Sequence, residues 1–573
     1  MRSPIIEDIQ LDNILIMIKT IVNRWSIPLL FIFLICPICS GCQSNGEEDE
    51  AISYFRLSSK DLGYDGTIKI HSKVVSLEKT TYTIQVESTP SVKWEAALTE
   101  GDDFIRITPV GEQTGNGIIH ITVAANPDRT PREGVIKILN SIDNVPAQII
   151  LRQFSKELKF PITDPNGDQV MQNPEDFYNP NSRYNTEYMR EGDNVAILWA
   201  KELGKDPRNA KPNNFDPEYL LKEAEGAFNY IQKTLGFASR ADSKGNQYKL
   251  LVFVKDDDDT SAGGAGVDPV PIVWMSAGGA TNPGRLLTHE LCHCFQYIAN
   301  FDGAPDFGGV GTFYEMTSQW ALLHRYTDWI EHERWHFNEF MKYTHLALGC
   351  VENQYHAPYM LEYWANKRGV KFIGQIWQEA KVEDKRDFIR SYMRQAGISQ
   401  KQFNEEVYEA ASRFITWDLP HIEKDYVKYG GSNIHKCELD KLTATRYQVA
   451  KTRCPRSYGY NGIKLIPNGK EVTVKLIGLT NADGFTTGSS EMAEWRWGFV
   501  ASLADGTRTY SETPMSGKNG ALSFTVPENT KHLWLVVAAT PNTYLRIDEV
   551  SEWPYQIELT NAKPDGKLCL VNE

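Results

Sequence analysis

His289-Glu290-Leu291-Cys292-His293 forms an H-E-x-x-H pattern whose residue types suit metal-assisted hydrolysis. On a helix, two histidines four apart stand on one face, so both imidazoles can reach the same ion. Glu290, one step round, points to where a bound water would sit. That places a general base beside a water that zinc makes more acidic. A catalytic zinc also needs a third protein ligand and an open fourth position. No histidine follows at the H-E-x-x-H-x-x-G-x-x-H spacing, because Gln296 is followed by Tyr297. Glu315, twenty-two residues beyond His293, is the leading third ligand, with Asp302, Asp306 and His324 as lesser candidates. The competing reading is a core helix with two hydrogen-bonded histidines and a surface glutamate. For Glu315 the competing role is that of a solvated residue favoured at a helix start by the macrodipole.

Holding these groups takes two helices. Asn282-Pro283-Gly284 is a turn signal, and Leu286, Leu287, Leu291, Phe295 and Ile298 recur at helical spacing behind the histidines. Residues 313–323 read as the second helix, entered from Gly308-Gly309-Val310-Gly311. Upstream, Asp216-Pro217 opens a helix through Leu220, Ala224, Phe228 and Ile231 to Gly236, and strands at 249–254 and 271–275 follow. In this order 273–276 is expected to be the sheet edge to which an extended peptide could add. Between the two strands, Asp256–Asp259, Gly263-Gly264-Ala265-Gly266 and Asp268 read as a solvated loop or substrate rim. A Ca2+ site is the alternative, since hard cations take several carboxylates.

The motif and its sequel resemble the gluzincins, in which a Glu from the next helix completes the site, often as E-x-x-S or E-x-x-A. Glu315-Met316-Thr317-Ser318 has that form, whereas Tyr314 and Gln319 stand where thermolysin-like enzymes carry Asn and Asp. The resemblance implies zinc held by His289, His293 and Glu315, and peptide-bond hydrolysis with Glu290 as base. The longer block through Gln296 is similar to zincin-like domains of secreted proteins with H-E-x-x-H-x-x-Q. In those domains a later helix often carries a Tyr or His facing the zinc. The matching stretch, 355–364, offers Tyr355 or His356 to the developing oxyanion, with packing as the alternative role. Cys292, inside the motif, faces away from the histidines and reads as a small buried residue.

At 573 residues the chain is long enough for three or four domains. A net charge of −14 and the lack of a basic stripe argue against a nucleic-acid partner. Lys19 and Arg24 precede an apolar run at 27–38, too short for a comfortable membrane span. It ends at Cys39-Ser40-Gly41-Cys42, which resembles a bacterial lipobox with Cys42 lipidated, Cys39 standing where Leu is usual. An ordinary cleaved secretory signal is the alternative. Residues 1–16 lack a basic start, so Met17 is an alternative initiator. The run Glu47-Glu48-Asp49-Glu50 reads as a solvated tether. In Bacteroidetes lipoproteins a similar stretch accompanies export to the outer cell surface, which implies an outer-membrane protein held by its lipid. Cys437 and Cys454 are disulfide candidates.

The expected fold class is multidomain α+β. Residues 1–42 form a lipoprotein signal, and 43–74 an acidic tether and linker. Residues 75–154 alternate as in a small Ig-like β-sandwich, with Tyr82-Thr83-Ile84-Gln85-Val86 and Ile119-His120-Ile121-Thr122-Val123 as examples. Val92-Lys93-Trp94, Val123-Ala124-Ala125-Asn126, Arg132-Glu133-Gly134 and Ile150-Leu151-Arg152-Gln153 resemble the BACON domain, a module named for carbohydrate binding. Its role here is read as a spacer or a glycan binder. Residues 160–430 read as a zincin-like α/β domain, and 440–573 as a second, jelly-roll-like sandwich in which Trp495, Trp497 and Trp534 are core. The chain is expected to be a monomer. Two functional classes stay open: a Zn2+ metallopeptidase acting on extracellular proteins or glycoproteins, and a glycan- or protein-binding surface lipoprotein with an inactive zincin fold. Metal-dependent hydrolysis of a non-peptide bond fits the same ligands.

Overall fold

The computed structural model describes residues 53–127, 131–143, 145–161, 172–307, 312–346, 348–426, 435, 437–546, 549–566 and 569–572. The chain divides into two units, Met1–Ser53 and Tyr54–Glu573. The segment expected to be a signal, with Cys42, both candidate start residues and the acidic run, lies outside the described residues, as does Gly308–Gly311. Among the described residues no helix is long and apolar enough to cross a membrane.

The second unit is mixed α and β. Its first part is two facing sheets, one of four strands and one of five. Alternating side chains close between them, with Ile84, Trp94, Ile119, Ile121, Ile136 and Leu151 in one core. Strands Phe55–Ser58 and Ile70–Val74 belong to these sheets, so the part begins near residue 55 and not at 75. Leu57 and Leu62 anchor this stretch. Its strands are too short and too charged for clean alternation to announce them.

The middle is built on a five-stranded sheet: β1 (Met189–Glu191), β2 (Val195–Trp199), β3 (Leu250–Lys255), β4 (Ala262–Val267) and β5 (Val270–Ser276), in the order β1-β2-β3-β5-β4. β2, β3 and β5 are parallel, and the two outer strands run antiparallel to their neighbours. The parallel strands are apolar on both faces, because helices cover one and Phe160, Phe177 and Tyr184 pack on the other. The edge beside β5 is therefore β4, not 273–276. The glycine-rich segment expected to be a loop is this edge strand. Asp256, Asp257 and Asp259 meet separate partners in Asn213, Lys255 and Ser261, and do not converge on a Ca2+ position.

Helix α1 (Pro217–Asn229) is capped by Asp216, which accepts from the backbone N–H groups of Glu218 and Tyr219. It packs with α2 (Gly284–Phe301), the motif helix, through Phe228 and Phe295, whose ring centroids are 4.8 Å apart. Helix α3 (Thr312–Arg325) crosses α2, and α4 (Tyr359–Arg368) and α5 (Gln400–Phe414) join the same helical core, to which shorter helices between residues 329 and 396 also contribute.

Two further sheets form the C-terminal part, with Val474, Trp495, Trp497, Leu535 and Ile557 between them. The opposite face of one of these sheets contributes Trp534, Val536 and Ala538 to the helical core, beside Tyr408 and Phe414 of α5. The helices and this sheet thus share one apolar interior. All three tryptophans are fully buried core. Cys454 is a free buried thiol, so the bridge to Cys437 is not formed.

Candidate metal centre

Helix α2 buries Leu287, Leu291, Phe295 and Ile298 against α1 and the sheet, which turns His289 and His293 toward α3. There Glu315, in the first turn of α3, meets them. His289 Nε2 lies 3.1 Å from Glu315 Oε2, His293 Nε2 lies 3.4 Å from the same oxygen, and the two Nε2 atoms are 3.1 Å apart. In a tetrahedral site with metal–ligand bonds of about 2.0–2.1 Å, ligand atoms stand about 3.3–3.4 Å from one another. The triangle matches that spacing, and its three corners are the donor types zinc takes. Hydrogen bonds alone satisfy it less well, because two lone-pair nitrogens facing each other at 3.1 Å repel unless one carries a proton.

The surroundings fix the ligands. Gln296, fully buried, places Oε1 2.8 Å from His293 Nδ1, and Ser318 Oγ is 3.2 Å from the same nitrogen. The amide of Gln296 is anchored by donation to the carbonyl of Tyr314, 2.9 Å away. Gln296 therefore accepts from Nδ1–H, and the lone pair of His293 sits on Nε2, facing the triangle. This gives a physical reason for the Gln of H-E-x-x-H-x-x-Q and for the Ser of E-x-x-S. Burial pushes the Glu315 carboxyl up, but the adjoining His289 and His293 outweigh it and hold the group well below the usual carboxylate range, so it is ionised.

Gln296→Leu is expected to weaken zinc binding about 10–100-fold, because the outer partner of a ligating histidine is lost. Competition with a chromogenic chelator would measure it. An unchanged affinity would remove Gln296 from the site.

Tyr355 stacks beside His289, with ring centroids 6.3 Å apart, and lies close enough to Glu315 for the carboxylate to act on its phenol. Burial, together with the nearby Glu315, pushes the phenol up to about 12, so it carries its proton at neutral pH. His356 does not join the trio: its Nδ1 lies 2.7 Å from His336 Nδ1. Both residues sit in the turn before α4, not on the helix. Glu290 is buried on the motif helix, beside His289 in the chain. Cys292 is fully buried and its thiol is pushed up to about 12, which suits packing and not metal binding. Of the other third-ligand candidates, Asp302 accepts from the Lys244 N–H, Asp306 accepts from the Tyr314 hydroxyl, and His324 lies in a separate cluster. The signal for Gln296 was present in the motif, but its partner atom was not.

Residues 154–566 match a family of unknown function (DUF6055). The chain belongs to the DUF6055 family. The match begins where the N-terminal pair of sheets ends and runs through the C-terminal sheets, so the DUF6055 region includes the motif helix and the sheet that shares its core. Similar solved structures include a functionally unknown conserved protein from Bacillus anthracis str. Ames. It is 12% identical, with 66% of this chain and 78% of that one covered at a TM-score of 0.25. A Bacteroides ovatus GH5 xyloglucanase in complex with a XXXG heptasaccharide is 11% identical, covering 56% of this chain and 62% of that one at a TM-score of 0.15. The C. elegans MSP family member WR4 is 15% identical, covering 14% of this chain and 89% of that one at a TM-score of 0.12. Overlaps this low carry no argument about the DUF6055 fold or chemistry. No curated protein matches the chain.

Proposed function

We propose that this protein is a zinc-dependent peptidase, with His289, His293 and Glu315 as metal ligands and Glu290 as general base. The observation that carries the reading is the ligand triangle, whose 3.1–3.4 Å edges fit a tetrahedral zinc. Zinc, when bound there, polarises a carbonyl and acidifies a water. Glu290 accepts the proton of the attacking water and delivers it to the leaving amine. The Tyr355 hydroxyl, protonated at neutral pH, donates to the oxygen on which charge develops. The free edge of β4 can take an extended peptide by main-chain pairing, since it is the outer strand of its sheet among the described residues.

The wider reading follows the same line. The middle is a zincin-like domain, preceded by an Ig-like, BACON-like spacer and followed by a jelly-roll-like sandwich. A lipid on Cys42 holds the protein at the outer membrane, facing outward, where the substrates are extracellular proteins or glycoproteins. The test is a screen on unfolded casein and on a densely glycosylated mucin. Cleavage of either is expected to stop on chelation and to return with added zinc. A purified protein that binds no zinc, or cleavage indifferent to chelation, would overturn the reading and favour a binding protein.

A further inference from the structure

A second convergence of metal-type donors lies in the helical layer, away from the first. His324 is near the end of α3, Glu362 is on α4, and His421 follows α5. One donor atom from each lies within 4.8 Å of the others. His324 is nine residues along α3 from Glu315, roughly 13 Å at 1.5 Å per residue, so one ion cannot serve both groups.

The hydrogen bonds prepare each donor. Tyr230 Oη is 2.7 Å from His324 Nδ1 and 3.0 Å from the carbonyl oxygen of His324. The hydroxyl has one proton. If it went to Nδ1, two oxygens would face each other at 3.0 Å with no proton between them. It therefore goes to the carbonyl, Nδ1–H donates to the hydroxyl, and the lone pair of His324 is on Nε2. His421 Nε2 lies 3.2 Å from the same carbonyl, which sets its proton there and makes Nδ1 the acceptor. The two imidazoles are stacked, with centroids 4.0 Å apart and planes 6° from parallel. Each brings a nitrogen toward the one carboxylate. Glu362 is fully buried; Oε2 accepts from Trp320 Nε1 at 3.0 Å, and Oε1 has no hydrogen-bond partner. A buried carboxylate oxygen left unmatched is costly, and a cation answers it.

The geometry points to a second metal site, formed by His324, Glu362 and His421 and suited to a zinc-type divalent ion. Two imidazoles and a carboxylate are borderline donors of the kind zinc takes. Binding asks the stacked rings to splay slightly, which His421, outside any helix, can allow. The ion would tie α3, α4 and the segment after α5 together, a structural role. This proposal does not rest on the peptidase reading.

Zinc content of the full chain after exhaustive dialysis tests it. The wild type is expected to hold about two zinc ions per chain, Glu362→Gln and His421→Gln about one each, and His293→Ala about one. Because Glu362 is buried, the His421→Gln variant, at a half-buried position, serves as the version most certain to fold, checked by circular dichroism. A wild type with about one zinc, kept by both Glu362→Gln and His421→Gln and lost in His293→Ala, would overturn the second site. One zinc lost in Glu362→Gln but kept in His293→Ala would support it and sink the peptidase centre instead.

Discussion

Glu290→Gln is expected to retain its zinc and lose turnover by about 10^2–10^4-fold, the usual worth of a positioned general base. Gln has nearly the same shape and volume, so the packing of α2 around this buried position is preserved. What it lacks is a basic oxygen to take a proton from water. The proposed ligand atoms are His289 Nε2, His293 Nε2 and Glu315 Oε2, none of which Glu290 touches by hydrogen bond among the described contacts, so metal content should not change. The measurement is kcat/KM on the cleaved substrate together with zinc per chain. His293→Ala from the same preparation serves as the reference for contaminating peptidase. Wild-type turnover by the Gln variant would remove Glu290 from the proton-transfer role.

A second large effect is expected at Gly264 on β4. A β-carbon there would lie 2.0 Å from the carbonyl oxygen of Glu290, 2.8 Å from its carbonyl carbon and 3.1 Å from its Cα. These are backbone atoms of the motif helix, and no rotamer change moves them aside. Gly264→Ala should cost about 1–3 kcal/mol through overpacking. It should also weaken the proposed zinc binding, because the peptide being pushed lies between His289 and His293. The neighbours behave alike: β-carbons at Gly263 and Gly266 would meet the Trp274 indole at 2.3 Å and the Phe301 ring at 2.5 Å. Denaturant unfolding with and without zinc measures the effect. Gly284→Ala, whose β-carbon would meet nothing nearer than the Tyr326 hydroxyl at 4.0 Å, is the control expected to be neutral or mildly stabilising. A Gly264→Ala protein with wild-type stability and zinc affinity would contradict the close approach of α2 to β4.

The same glycines show why part of the fold was hidden. Gly-Gly-Ala-Gly has the composition of a loop, since glycine weakens a strand and offers no side chain to pack. It becomes a strand because the motif helix lies directly on it, and only a backbone without β-carbons lets the helix come so near. In the same way, 55–74 carries too little alternation to announce strands that pair with partners many residues away. The disulfide candidates looked plausible for an exported protein, yet whether two thiols meet is a matter of packing that spacing does not specify.

By itself the sequence determined the local features: the helix carrying His289, Glu290 and His293, its apolar back, the Asp216 cap, and the alternating strands at both ends. These depend on the 3.6 and 2 residue periods of the chain, which neighbours along the sequence suffice to set. The tertiary structure alone decided which acidic residue faces the histidines. Glu315 stands in the triangle, whereas Asp302 and Asp306 hold a backbone N–H and a tyrosine hydroxyl. It also separated Tyr355 from His356, adjacent residues whose side chains go to His289 and to His336. It brought His324, Glu362 and His421 together across nearly a hundred residues. Such choices rest on how helices cross and on what each face has left to bury, and no local period carries that information.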